Sequence, residues 1–228
     1  MIPLKDDIPA RRQPIVTIAL ILINCLVYLY LLSLGDAYGL ALLKWGTIPY
    51  EVTHMREITP ELSSPIILTL FTAMFLHGGL LHLGGNMLYL WIFGDNVEDQ
   101  LGHVKFLVFY ILCGLGASLL YVLTTPDSQV PMIGASGAIA GVLGAYVIRF
   151  PRARILTLIF FGFFIRIVAI PAFFVLGFWF VLQLLFALPS IGSTSGGVAF
   201  FAHVGGFLAG IVLFKLFTVF SRRDLGYG

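Results

Sequence analysis

The sequence predicts an all-α, polytopic membrane protein with six transmembrane helices in a single bundle. Three observations predict it. Hydrophobic residues make up 59% of the 228 residues and charged residues only 11%; the mean hydropathy is +1.01; and the charges sit between long charge-free intervals. A soluble domain carries about 25% charged and roughly 45–50% apolar residues, so a cytosolic fold and disorder are both excluded. The net charge of +2 is small and unevenly spread, so it reads as membrane orientation and nucleic acid is excluded as a partner. Cys25 and Cys113 lie in apolar runs and read as small buried hydrophobes, neither a disulfide framework nor a metal cluster. The first residues, with Asp6 and Asp7 and no apolar core, show no cleaved targeting segment.

A crossing needs about 20 apolar residues. Residues 1–13 form a terminal segment, and Pro14 to Leu34 is the first crossing. Residues 35–62 form the first loop, too long to be a mere connector; its Tyr38, Trp45 and Tyr50 suggest a segment resting at the interface. Leu62 to Gly94 is charge-free but would be about 50 Å long as one helix. Gly78-Gly79 offers a break, giving a re-entrant or interfacial piece before His77. The second crossing then runs from Gly79 to Phe93, extending into an Asp95-Asn96-Val97-Glu98 turn. Phe106 to Pro126 is the third crossing and Ile133 to Ile148 a shorter fourth. Ile155 to Phe164 is too short to span and is assigned to the connection before the fifth, Pro171 to Leu188. The Pro189 to Gly197 cluster reads as a loop, and Val198 to Phe220 is the sixth, followed by a tail over 221–228.

With six spans, one side collects Lys5, Arg11, Arg12, Lys105, Arg149, Arg152, Arg154, Arg166, Lys215, Arg222 and Arg223. Only Lys44 and Arg56 lie opposite. The bias puts both termini in the cytoplasm of a cell whose plasma membrane the chain spans, and the first loop outside.

Polar residues inside crossings are functional candidates by default. His82 and Asn86 lie four apart on one face of the second crossing, Ser136 heads the fourth, and His203 lies early in the sixth. All three helices run from outside to inside, so these four groups converge at one level in the outer leaflet. Ser136 sits in Gly134-Ala135-Ser136-Gly137, and His203 is followed by Gly206 and Gly210. Small residues let helix backbones approach closely, which a serine and an imidazole need if they are to meet at about 3 Å. The chemistry suggested is nucleophilic acyl transfer, with His203 taking the proton of Ser136 and returning it to the leaving amine. No Asp or Glu falls in a crossing near this level, so a dyad is the simplest arrangement. His82, Asn86 and the Ser136 N–H are suitable donors to an oxyanion.

The segment Phe75-Leu-His-Gly-Gly-Leu-Leu-His-Leu-Gly-Gly-Asn86, the Gly134 to Gly137 motif, and Ala202-His203 with Gly206 and Gly210 stand in this order on crossings two, four and six. Together they resemble the rhomboid family of intramembrane serine proteases, over about Pro14 to Phe220. The resemblance implies Ser136 as nucleophile, His203 as general base, and His82, Asn86 and the Ser136 amide as the oxyanion site. His77 would organise the mouth of the second crossing. It further implies transmembrane protein substrates cut near their outer ends within the lipid bilayer, and no cofactor or metal. Two positions depart from the family pattern. A tyrosine that often stacks under the histidine is replaced by Ala140, and the first-loop Trp-Arg pair is missing from Pro65 to Phe71. Three rival readings remain: an inactive rhomboid relative that binds membrane clients, a transporter or channel, and a zinc site from His77, His82 and His203. The first predicts loss of the serine or histidine, the second internal symmetry and the third a nearby carboxylate; none of these marks is present.

Overall fold

The computed structural model describes residues 1–62, 64–161, 164–192 and 197–224. In chain order they form β1 (Ile2–Asp6), α1 (Ile15–Ser33), α2 (Tyr38–Trp45), α3 (Pro49–His54), α4 (Ile66–Thr72), α5 (Leu80–Leu101), α6 (His103–Thr124), α7 (Ser136–Arg149), β2 (Arg154–Phe161), β3 (Phe164–Pro171), α8 (Ala172–Ala187) and α9 (Phe200–Asp224). The protein is mostly helical. Among the described residues, four stretches are long and apolar enough to cross a membrane: Ile15–Ser33, His103–Thr124, Ala172–Ser190 and Phe200–Val219. Ile66–Phe75 and Leu80–Leu101, bent by 79°, make a fifth if taken as one span. α7 is apolar but has 14 residues, about 21 Å at 1.5 Å per residue, which is less than a full hydrocarbon core. Length therefore supports four or five spans, with α7 a shorter helix buried among them. Residues 193–196 of the expected loop and 225–228 of the expected tail lie outside the described residues.

Two expectations are corrected. The chain is not all-α: β1, β2 and β3 form an antiparallel sheet in that order. The apolar Ile155 to Phe164 stretch, expected to be a plain connection, supplies most of the central strand β2 (to Phe161) and, at Phe164, the start of β3; residues 162–163 lie outside the described residues. Its alternating β-branched and aromatic residues suit a pleated strand, and hydropathy alone does not distinguish that from a short helix. The second correction concerns Asp95-Asn96-Val97-Glu98, which is not a turn but lies within α5, whose helix continues to Leu101.

The polar side chains there are used in packing. Glu98 is buried, and its carboxylate accepts the backbone N–H groups of Val16 and Thr17 at 2.9 and 2.7 Å and the Thr17 hydroxyl at 2.7 Å. It thus satisfies orphan donors at the start of α1, which has no capping side chain of its own. Glu98 also meets His103 Nδ1 at 2.6 Å. Nearby, Asp6 accepts the Tyr146 hydroxyl at 2.5 Å and the Asn96 amide at 2.9 Å, tying β1 to α5 and α7.

At the opposite end, the first loop is bonded to the chain that leads into α7. Thr47 and Met132 exchange backbone hydrogen bonds at 3.0 and 2.8 Å, and Tyr50 N–H donates to Ser128 O at 2.9 Å. The Thr72 hydroxyl donates to Trp45 O at 2.7 Å, and Gly134 N–H donates to Ala73 O at 2.9 Å. The bent segment before α5 and the first loop therefore both fix the approach to Ser136.

Two outcomes follow from the polar groups at the end that holds β1. Glu98→Ala strands buried donors, each costing about 1–3 kcal/mol. Its thermal midpoint in detergent should fall by several degrees, with Glu98→Gln intermediate because an acceptor oxygen remains; an unchanged midpoint for Glu98→Ala would remove Glu98 from this role. Burial holds the Asp6 carboxyl above its ordinary range, and neighbouring Asp7 adds to this while the Tyr146 hydrogen bond opposes it. The folded state therefore favours protonated Asp6, so its stabilisation is complete below the unfolded value of about 3.9 and is lost as pH rises through the higher folded value. Asp6→Asn should raise the midpoint at pH 7–8 and lose that advantage near pH 4; a lower midpoint at neutral pH would reverse this assignment.

Candidate active site

α7 and α9 meet backbone to backbone. A Cβ built on Gly206 would overlap the carbonyl of Gly137, one on Gly210 would overlap Gly141, and one on Gly144 would overlap the carbonyl of Phe207. No side chain fits between the helices at these points. Gly134 has φ of +121°, in the region that favours glycine, and a Cβ there would lie 2.7 Å from His82 Nε2. Ser136 is the first residue of α7, where the opening N–H groups have no acceptor within their own helix.

Across the α7–α9 seam, Ser136 Oγ lies 2.8 Å from His203 Nε2. The other ring nitrogen, Nδ1, lies 2.8 Å from Gln183 Oε1 on α8. The Gln183 amide nitrogen donates to Trp179 O at 3.3 Å, which orients the amide with its oxygen toward the histidine. An amide oxygen only accepts, so Nδ1 carries the ring proton and Nε2 is free to accept from Ser136. The Trp179 ring lies beside the His203 ring with centroids 5.8 Å apart and a 35° tilt, and Phe200 meets it edge-on at 6.4 Å.

On α5, Asn86 Nδ2 lies 3.0 Å from His77 Nε2, and His77 is fully buried. Gly78 N–H points to His82 Nδ1 at 3.5 Å, which leaves His82 Nε2 to carry its proton. His82, Asn86, Ser136 and His203 all line one cavity of about 660 Å³, together with Ala140 and Trp179. Its donors are therefore two α5 side chains and the head of α7, facing a serine hydrogen-bonded to a neutral imidazole. Such a set can carry acyl transfer.

The structure brings Ser136, His203, His82 and Asn86 together, while His77 stands behind Asn86, outside the cavity lining. Gly137, Gly206 and Gly210 lie in the helix seam, and Gly134 lies against His82. Among the described residues, no group of three His, Cys, Asp or Glu could hold a metal ion, so His77, His82 and His203 do not assemble as zinc ligands. Cys25 and Cys113 are free thiols, Cys113 buried. Sequence reasoning missed Gln183 and Trp179. Their signal was present: Gln183 is the single amide among the 16 residues of α8, four residues after Trp179 and so on the same face. These two flank the His203 imidazole, one at its edge and one beside its ring.

The sequence model of the rhomboid domain matches residues 65–220. RHOMBOID-like protein 1 of Arabidopsis thaliana is 32% identical over 201 residues, covering 83% of this chain and 42% of that protein. Rhomboid protein 1, mitochondrial, of Saccharomyces cerevisiae is 30% identical over 151 residues, covering 64% of this chain and 40% of that one. Presenilin-associated rhomboid-like protein, mitochondrial, of Mus musculus is 29% identical over 181 residues, covering 77% and 45%. The chain spans less than half the length of these relatives. The family model covers more than half of this chain, and through it the protein belongs to the rhomboid family.

Proposed function

We propose that this protein is an intramembrane serine endopeptidase, hydrolysing a peptide bond in or near the transmembrane segment of membrane-protein substrates. The observation that carries this reading is the 2.8 Å contact between Ser136 Oγ and His203 Nε2 at the head of α7. Family membership supports it.

Ser136 Oγ attacks the scissile carbonyl carbon as His203 Nε2 takes its proton. The carbonyl oxygen becomes an oxyanion, stabilised by the Ser136 N–H at a helix N-terminus, by His82 Nε2–H and by the Asn86 amide. Collapse of the intermediate breaks the C–N bond, and the imidazolium returns its proton to the departing amine. Water then attacks the acyl-enzyme, with His203 again as base, and releases Ser136. Every proton in these steps is handled by His203, and the steps call on no metal or cofactor. A substrate helix hides its carbonyls until it is locally unwound, so segments weakened by small residues are the preferred class.

In this reading residues 1–228 act as one membrane domain of six elements, α7 being the short one. Both termini are cytoplasmic in a cell membrane and the cavity opens to the outside, as the eleven basic residues on the terminal side support.

The purified protein in liposomes should cleave a helix-weakened transmembrane substrate. Ser136→Ala and His203→Ala should abolish cleavage, and Asn86→Ala should lower kcat by about 10²-fold with helical content retained. Cleavage surviving in Ser136→Ala would overturn the nucleophile, and a wild type that binds such segments without cutting them would favour client binding.

A further inference from the structure

We infer that Gln183 is the third member of the site: a positioning residue that locks His203 in the tautomer and orientation required of the base. The inference rests on the proposed peptidase reading for its kinetic consequence, but its geometry stands apart from that reading. Gln183 is 8% exposed, and its two polar atoms are each committed, Oε1 to His203 Nδ1 at 2.8 Å and Nε2 to Trp179 O at 3.3 Å. Trp179 supplies the backbone carbonyl that aims the amide and the ring that lies beside the imidazole. One face of α8 thus holds His203 by its edge and along its plane.

Without this acceptor the imidazole could place its proton on Nε2. That nitrogen would then be a donor, and Ser136 would have no base. An amide differs from a carboxylate in carrying no net charge, so it orients the ring while stabilising the imidazolium less than a carboxylate would. The titratable groups that share the cavity with His203 are His82 and Tyr89 from α5 and Tyr121 from α6, with the Ser136 hydroxyl of α7 hydrogen-bonded to the ring; α8 contributes no charged group. Among the described residues, a carboxylate introduced at position 183 would be the one carboxylate hydrogen-bonded to the ring.

The test reads tautomer and turnover separately. In protein labelled with ¹⁵N-histidine, the His203 ring shifts should report a protonated Nδ1 and an unprotonated Nε2 in the wild type, and a loss of that bias in Gln183→Leu and Gln183→Met. With the transmembrane substrate, both variants should lose about 10- to 100-fold in kcat with little change in KM, a part of the 10²–10⁴-fold that a positioned base supplies. Gln183→Glu should restore the Nδ1–H tautomer and part of kcat, with the acid limb of the pH–rate profile displaced to higher pH. Thermal midpoints and the binding of uncleaved substrate identify folded variants.

An unchanged His203 tautomer in folded Gln183→Leu would overturn the inference. So would an unchanged kcat and pH profile alongside a Ser136-dependent wild type. A wild type that fails to cleave, yet shows the Gln183-dependent tautomer, would sink the peptidase reading and leave the positioning role standing.

Discussion

The site depends on one constraint, the direct backbone contact between α7 and α9. Lipid chains are as apolar as leucine, so helices in a bilayer are not driven together by the hydrophobic effect. What holds them is close van der Waals packing, and glycine gives the closest approach. Gly137, Gly141 and Gly144 on α7 face Ala202, Gly206, Phe207 and Gly210 on α9, with no room for an added Cβ at Gly206, Gly210 or Gly144. A serine side chain is short, and only such a seam brings its oxygen within 2.8 Å of an imidazole on another helix. Elsewhere the fold holds the ends of this pair. The first loop and the bent segment before α5 fasten the chain that enters α7, and the Asp6 and Glu98 networks tie β1 and α1 to the far end.

The chemistry inside the seam reflects the composition of the chain. A carboxylate buried beside a histidine carries a large desolvation cost unless fully paired, whereas an amide needs only its hydrogen bonds. Gln183 meets that condition with both polar atoms bonded. The absence of a third, acidic partner in the sequence thus has a structural counterpart: a neutral acceptor arriving from α8. The same helix supplies Trp179, whose ring lies beside that of His203, and Ala140 of α7 lines the same cavity.

Much of this was legible in the sequence because polar residues in apolar runs are conspicuous. Ser136, His203, His82 and Asn86 stood out for that reason, and their helical spacing gave the faces. Gln183 escaped because charges were used to delimit crossings, and an uncharged amide leaves a charge-free interval intact. The hairpin of β2 and β3 escaped because hydropathy measures apolarity and not period. Asp95 to Glu98 read as a turn because charged residues usually mark a helix end; here the Glu98 carboxylate is buried against the start of α1, a long-range partnership that no local pattern encodes.

The dependence of serine reactivity on the glycine seam is measured most directly by the rate at which a fluorophosphonate labels Ser136 as the seam is filled. Labelling should fall in graded fashion from wild type to Gly206→Ala to Gly206→Val, and likewise at Gly210. Alanine at Gly84 or Gly177, where an added Cβ meets nothing within 4 Å, should leave the rate unchanged. A folded Gly206→Val protein that labels at the wild-type rate would contradict the claim that backbone contact between α7 and α9 builds the site.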